Sequence, residues 1–169
     1  MGDRTTFDEL ATALREYLVS QSDVVAGYIF GSMAQGRARP GSDVDVAVLL
    51  SDDLDGETRF MRRLRLGGEV EDAIGRRTDL VVLNDAPPLL QHQVLKHGRL
   101  VFERDRAARV EFEVRAGKIY ADLKPMYDFF TRVLLKEIRE VGLGGRRRHR
   151  ARAIEVSAGR SGLPEERTG

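Results

Sequence analysis

Cysteine is missing from this chain of 169 residues, and its absence removes two kinds of site. Without a thiol, the protein forms neither a disulfide bond nor a metal site built on thiolates. The chain also lacks an apolar run of the roughly 20 residues that cross a bilayer. Its first apolar stretches are helical in pattern or broken by charges, unlike a signal peptide. We therefore expect a soluble, cytoplasmic protein with no membrane partner.

The chain also has almost no net charge. Charged residues make up 33% of the chain, yet the formal net charge is +1, which indicates no class of partner. The distribution is uneven, because residues 142–169 contain seven Arg against three Glu and are rich in Gly. We expect 142–169 to form a flexible basic tail. Nucleic-acid binding is only weakly suggested, since charge alone is a poor indicator of it.

The most informative stretch is a pair of apolar runs joined by a short polar segment. The first run, Val24–Phe30, stops at the Gly-Ser pair 31–32, and ten residues later the second run, Val44–Leu50, begins beside two acidic residues. This pattern predicts a strand, a turn and a second strand. Because side chains alternate along a strand, Asp43 and Asp45 would project to one side, about 7 Å apart.

Two carboxylates in this arrangement repel each other, and a divalent cation would relieve the repulsion. Oxygen ligands alone suit Mg²⁺, which prefers a few carboxylates together with phosphate oxygens and water. Gly31 allows the backbone to approach a ligand closely, and Ser32 is expected to open a short helix whose free N–H groups face an anion. The segment therefore predicts a metal site beside a phosphate site.

These residues resemble the nucleotidyltransferase superfamily related to DNA polymerase β. Its pattern is Gly-Ser, about ten residues, Asp-x-Asp, and a third carboxylate on a later strand. Here the pair 31–32, Asp43 and Asp45 match with the spacing intact, and the stretch 77–82 (RTDLVV) contains the third carboxylate. The resemblance implies an α/β (α+β) fold, in which a small mixed sheet is flanked by helices and followed by a C-terminal helical segment.

The resemblance also implies roles for individual residues. Three acidic residues would be catalytic and would hold Mg²⁺, as two ions: Asp43, Asp45 and Asp79. Three residues would bind the phosphates of the ATP substrate: Gly31, Ser32 and Ser42. For Ser42 a second role stays open, since its hydroxyl could equally bond the backbone of the turn.

The size of the chain narrows the choice within the superfamily. The large tRNA-terminal and poly(A) polymerases carry RNA-gripping domains for which this chain has no room. A minimal domain that ends in a Phe- and Tyr-rich helix is similar to the MNT antitoxins encoded with HEPN toxins, and the similarity covers roughly residues 7–141. In that family the antitoxin moves AMP from ATP to a tyrosine of the toxin, a ribonuclease, and silences it. The resemblance thus implies ATP and a cognate HEPN toxin as partners.

Two other functions stay open. A small-molecule nucleotidyltransferase of the aminoglycoside-modifying kind would use the same core. A non-catalytic antitoxin would act by binding alone, with structural carboxylates. All three carboxylates are present, which speaks against the second alternative.

Beyond the central motif, the sequence predicts a helix at about Glu57–Ile74. Its anchors in the core would be Phe60, Leu64 and Ile74. The glycine pair 67–68 suggests a break in this helix or a close packing contact there.

Shorter elements follow this helix. We expect a third strand at Thr78–Asn84, a helix at Leu89–Lys96, and a strand at Arg99–Glu103 on the edge of the sheet. The strand Val24–Phe30 is mostly apolar, and we therefore expect it to be central and covered on both faces.

The chain is predicted to have three parts. Residues 1–104 form the catalytic core, residues 105–141 form a C-terminal helical segment, and residues 142–169 form the tail. Pro125 should kink or divide the helical segment. Apolar residues after Pro125 fall on more than one helix face, so that we expect this part to pack on the core and on a partner, either a second copy or another protein.

Overall fold

The computed structural model describes residues 6–141, in one compact unit that ends at Asp128 and a second that begins at Phe129. The expected α/β fold is confirmed, because one mixed sheet is flanked by helices and followed by a C-terminal helix. Across 6–141, no helix is both long enough and apolar enough to cross a bilayer. The predicted tail, 142–169, lies outside the described residues.

Four strands and five α-helices make up this part of the chain. The strands are β1 (Val24–Phe30), β2 (Val44–Leu50), β3 (Thr78–Val82) and β4 (Arg99–Glu103). The helices are α1 (Phe7–Val19), α2 (Gly31–Ala34), α3 (Gly56–Ile74), α4 (Pro88–His97) and α5 (Arg106–Val141). A single 3₁₀ turn, Leu83–Asp85, follows β3 directly.

The sheet has the order β3-β2-β1-β4. Strand β1 runs antiparallel to both of its neighbours, whereas β2 and β3 are parallel. The predicted central position of β1 and edge position of β4 are both confirmed. Strand β3 forms the other edge of the sheet.

Helices cover the sheet on two faces. Helices α1 and α3 pack on one face, where the core includes Leu14, Val46 and Val70. Helix α4 and the first part of α5 pack on the other face, where Phe112 and Ala116 of α5 are buried. Strands β1 and β2 are buried from both sides, as their nearly continuous apolar sequences predict.

The core-facing side of α3 differs from the prediction. Phe60 and Leu64 are exposed, and the buried residues are Leu66, Val70 and Ile74. Residues two apart on a helix lie about 200° apart, so Leu64 and Leu66 point in nearly opposite directions. Helix α3 thus has two apolar stripes, and the sequence prediction chose the stripe that faces outward, except at Ile74.

Two further expectations about continuity were wrong, and a third was wrong in one of its two alternatives. Helix α3 runs unbroken through Gly67 and Gly68, and a β-carbon at either position would meet no atom within 4 Å. Strand β3 ends at Val82 because the chain turns into the 3₁₀ segment. Helix α5 is not divided at Pro125, which lies inside one continuous helix. The alternative, that Pro125 kinks this helix, stays a prediction.

The orientation of α3 can be tested with a matched pair of leucines. Leu66 is fully buried (0% exposed) and Leu64 is 59% exposed. Leu66→Ala should lower the free energy of unfolding by about 2–5 kcal/mol, because it leaves a cavity in the core. Leu64→Ala should change it by no more than about 0.5 kcal/mol. Urea denaturation of both variants measures the difference, and equal losses would contradict the observed orientation.

Candidate functional site

The three predicted carboxylates lie at one end of the sheet. Asp43 directly precedes β2, Asp45 lies within β2, and Asp79 lies within β3. The parallel register places Asp45 beside Asp79, so their side chains project from the same face of the sheet. Ala47, the next residue of β2 on that face, is buried in the core beneath α4 and α5. The site therefore opens on the α4 and α5 side of the sheet.

The end of β1 reaches this site from the opposite direction. Phe30, the last residue of β1, pairs with Asp45, and the chain then turns into α2 at Gly31. Gly31 has a φ of +65°, a left-handed conformation that side chains disfavour. A β-carbon built at Gly31 would lie 2.0 Å from the Asp45 carboxylate oxygen Oδ2. Any other residue here would strain the backbone and would push the Asp45 carboxylate aside.

Asp45 is the carboxyl group of this site whose pKa is shifted from its ordinary value. Burial raises the pKa of this carboxyl, and the negative charges of Asp79 and Asp43 raise it further. Asp79 and Asp43 are therefore close enough to Asp45 to disfavour its negative charge. Asp43 and Asp79 are exposed, whereas Asp45 is partly buried.

The donor chemistry of these residues fits a Mg²⁺ ion, because carboxylate oxygens are the protein ligands that Mg²⁺ prefers. Their positions do not form a closed ligand set. Among residues 6–141, no three Asp, Glu, His or Cys side chains are gathered closely enough to hold a metal ion. The Asp43 carboxylate instead forms an ion pair with Arg77, at 3.8 Å.

Two arginines that the sequence analysis did not single out tie the two carboxylate strands together. The Arg76 guanidinium donates a hydrogen bond to the Ser42 carbonyl at 2.8 Å. The backbone N–H of Val44 donates to the Arg77 carbonyl at 2.9 Å. The pair 76–77 thus holds both sides of Asp43 to the start of β3. Their position just before the third carboxylate was visible in the sequence, but no motif marks such contacts.

The two serines proposed for nucleotide binding differ in their surroundings. Ser32 lies in α2, partly buried, directly after Gly31. The Ser42 hydroxyl oxygen accepts a hydrogen bond from the Arg39 backbone N–H at 3.1 Å. Ser42 therefore takes part in the turn before β2, which was one of the two roles that the sequence left open.

Sequence comparison finds related proteins. A family model described as "Polymerase beta, Nucleotidyltransferase" matches residues 12–107. The protein adenylyltransferase MntA of Shewanella oneidensis is 32% identical to this chain over 97 residues. That alignment covers 57% of this chain and spans 66% of the length of MntA.

Structural comparison finds the same fold in toxin–antitoxin complexes. A chain from a crystal structure of a toxin–antitoxin with AMP-PNP superimposes with a TM-score of 0.61 and 25% identity, over 74% of this chain and 98% of its own length. A chain from a mutant MntA toxin–antitoxin complex superimposes with a TM-score of 0.58 and 26% identity, over 76% of this chain and 96% of its own. AMP-PNP is an analogue of ATP.

The close approach of Gly31 to Asp45 can be tested with a matched glycine. Gly36 has nearly the same φ, +66°, but a β-carbon there would meet no atom within 4 Å. Both Gly31→Ala and Gly36→Ala should lower the free energy of unfolding by about 1 kcal/mol through backbone strain. Only Gly31→Ala should also displace Asp45, and we expect it to weaken the binding of AMP-PNP with Mg²⁺ by about tenfold or more.

Calorimetric titration of both variants measures this difference in affinity. Equal affinities in the two variants would show that the space between Gly31 and Asp45 has no part in binding.

Proposed function

Because this chain belongs to the polymerase β nucleotidyltransferase family, whose model matches residues 12–107, we propose that it transfers AMP from ATP to a tyrosine hydroxyl of a cognate HEPN toxin. The modified toxin, a ribonuclease, would be inactive, and the protein would act as its antitoxin. The transfer would depend on Mg²⁺.

One observation carries the proposal, namely the placement of a glycine turn against a set of three carboxylates. The Gly31 backbone closes on Asp45, and the register of β2 and β3 sets Asp79 at its side. A nucleotide whose phosphates lie on the 31–32 turn would have its α-phosphorus near these carboxylates. That is the arrangement that transfer of a nucleotidyl group requires.

The choice of a protein as acceptor is supported by the similarity to the protein adenylyltransferase MntA and to a chain from a toxin–antitoxin complex. Exposed aromatic and aliphatic side chains on the last part of α5 support a protein partner as well. They include Phe129, Phe130 and Leu134. Large apolar groups that remain exposed mark interaction surfaces. We propose that α5 beyond Pro125 binds the toxin or a second copy of this chain.

The carboxylates would act together on the metal and on the acceptor. Asp43, Asp45 and Asp79 would hold the Mg²⁺ ions, with Asp79 on the acceptor side of the site. Bound Mg²⁺ would offset the negative charge of the phosphates and lower the pKa of the acceptor hydroxyl. Gly31 and Ser32 would hold the β- and γ-phosphates in line with the attacking oxygen.

The reaction forms one bond and breaks another. The tyrosine oxygen attacks the α-phosphorus of ATP, and the bond from this phosphorus to the bridging oxygen of the β-phosphate breaks. Pyrophosphate leaves with that electron pair. Asp79 lies on the acceptor side and would help to remove the hydroxyl proton, since a free tyrosine has a pKa near 10.

Replacing the first two carboxylates tests the proposal directly. The double variant Asp43→Asn/Asp45→Asn should abolish AMP transfer to the proposed HEPN substrate, measured with α-³²P-labelled ATP and Mg²⁺. Its melting temperature should stay the same or rise, because charge on Asp45 is disfavoured by burial and by its neighbours. The lost ion pair between Asp43 and Arg77 is exposed and contributes little. Full transfer by the double variant would refute the metal assignment.

A variant of Asp79 distinguishes a role in catalysis from a role in nucleotide binding. If it serves the acceptor side, Asp79→Asn should reduce turnover by about 10² or more. Its affinity for AMP-PNP with Mg²⁺ should stay within about threefold of the unmodified protein. Single-turnover transfer and calorimetry give the two values. Loss of nucleotide affinity would place Asp79 in the nucleotide site instead.

A further inference from the structure

The side chain of Arg76 acts on the backbone next to Asp43 and not on its carboxylate. Its guanidinium donates a hydrogen bond to the Ser42 carbonyl at 2.8 Å. This carbonyl belongs to the peptide group that joins Ser42 to Asp43. A hydrogen bond from a charged donor is stronger than one between neutral groups. The contact therefore fixes the peptide plane from which Asp43 projects.

The remaining bonds around Asp43 are made within its own segment or by backbone groups. The Ser42 N–H donates to the Arg39 carbonyl at 3.0 Å, and the Ser42 hydroxyl oxygen accepts from the Arg39 N–H. On the other side, the Val44 N–H donates to the backbone carbonyl of Arg77. The bond from Arg76 is thus one that a change of side chain outside the turn can remove.

The backbone of Arg76 is itself held on both sides. Before it, Gly75 ends α3 with a φ of +70°, and its N–H donates to the Glu71 carbonyl at 2.9 Å. After it, the Thr78 hydroxyl donates to the Arg76 carbonyl at 3.0 Å. Because its own backbone is fixed, the Arg76 guanidinium can hold the Ser42 peptide in place and does not simply follow it.

The backbone beside Asp79 is held in a similar way, by side chains of α3. The Thr78 backbone N–H donates to the Glu71 carboxylate at 3.1 Å. The Leu80 carbonyl accepts from Arg63 Nε at 3.3 Å. Thr78 and Leu80 are the two neighbours of Asp79 on β3. Contacts with the backbone next to a carboxylate therefore occur at two of the three carboxylates.

The position of Asp43 depends on its backbone more than on contacts of its side chain. Its carboxylate is exposed, and the ion pair with Arg77 at 3.8 Å is exposed as well. An ion pair of this kind contributes little to holding a side chain in one place. The peptide groups on either side of Asp43 therefore decide where its carboxylate oxygens can reach.

We propose that Arg76 is a positioning residue for the metal site: it holds the backbone of Asp43 so that this carboxylate can join Asp45 in binding Mg²⁺. The inference rests on the proposed function, which assigns Mg²⁺ to these carboxylates. Residues that orient metal ligands without touching the metal typically change its affinity by about 10–100-fold when they are replaced.

Two neighbouring arginines make the test specific, because their loss should have opposite effects. Either variant, Arg76→Met or Arg77→Met, removes one positive charge near the carboxylates, and this alone would strengthen their attraction for a divalent cation. The bond from Val44 to Arg77 uses a backbone carbonyl and survives the substitution. Arg77→Met should therefore bind the cation at least as tightly as the unmodified protein. Arg76→Met should bind it about tenfold more weakly.

The probe is Mn²⁺ without nucleotide, since carboxylates also suit this ion and the electron paramagnetic resonance signal of free Mn²⁺ reports how much is bound. Other acidic groups on the surface give a background. The double variant Asp43→Asn/Asp45→Asn measures that background, which is subtracted from every titration.

Arg15→Met controls for a general loss of stability. Arg15 Nε donates to the Val101 carbonyl at 2.9 Å, on strand β4 at the opposite edge of the sheet from β3. This variant loses the same kind of bond, and its Mn²⁺ affinity should stay within about twofold of the unmodified protein. Arg76→Lys keeps the charge and a donor, and its affinity should lie between those of Arg76→Met and the unmodified protein. Melting temperatures show that each variant is folded.

A second measurement uses AMP transfer to the proposed HEPN substrate. Arg76→Met should lower kcat about tenfold and leave the KM for this substrate within about twofold, because the acceptor does not contact Arg76. If the unmodified protein transfers no AMP, the proposed function fails, whereas the Mn²⁺ titrations still decide the role of Arg76.

Three results would overturn the assignment. The first is Mn²⁺ affinity in Arg76→Met that equals or exceeds that of the unmodified protein, since charge alone would then explain the effect of Arg76. The second is an equal loss of affinity in Arg15→Met, which would reduce the role of Arg76 to stability. The third is no Mn²⁺ binding above background by the unmodified protein.

Discussion

The close approach of the Gly31 backbone to the Asp45 carboxylate constrains the whole site. It requires a glycine at the end of β1, a tight turn into α2, and a register that brings the start of β2 opposite the end of β1. The antiparallel pairing of β1 and β2 supplies that register, and the helices on both faces of the sheet hold it. The fold therefore serves to keep one backbone segment and one carboxylate within contact of each other.

The sheet contains both antiparallel and parallel strand pairs. In the proposed reaction, one kind of pair would serve the nucleotide and the other would serve the acceptor. The antiparallel pair β1 and β2 brings the glycine turn to two of the carboxylates, where the nucleotide would bind. The parallel pair β2 and β3 adds Asp79 at the edge, where the acceptor would approach. Nucleotide and acceptor would thus reach the same end of the sheet from different sides. The contacts of Arg76 and Arg77 connect these two halves.

The sequence was sufficient for three of the four strands and for placing the carboxylates at one end of the sheet. The bounds of β1, β2 and β4 agree with the prediction, because each strand is an apolar run with clear polar ends. Which residues of α3 face outward could not be predicted in this way. Its apolar residues form two stripes, and periodicity alone does not say which stripe meets the sheet. Only the packing against α1 and the sheet distinguishes Leu66 from Leu64.

Long-range contacts explain most of the remaining differences. The hydrogen bonds of Arg76 to Ser42 and of Arg77 to Val44 join residues more than thirty positions apart, and no local pattern marks them. The continuity of α5 at Pro125 has a local reason. Proline removes one helical hydrogen bond, to the carbonyl of Ala121, and this residue is exposed, so that solvent can reach the carbonyl.

The edge position of β3 has a consequence for how the protein would lose activity. Strand β3 pairs with one neighbouring strand, and its outer side is held by two side chains of α3. Edge elements of this kind open locally at a lower free energy than central strands do. Such an opening would carry Asp79 away while β1 and β2 stay paired. Under thermal or chemical stress, the protein would then pass through a state that still binds nucleotide and no longer transfers it.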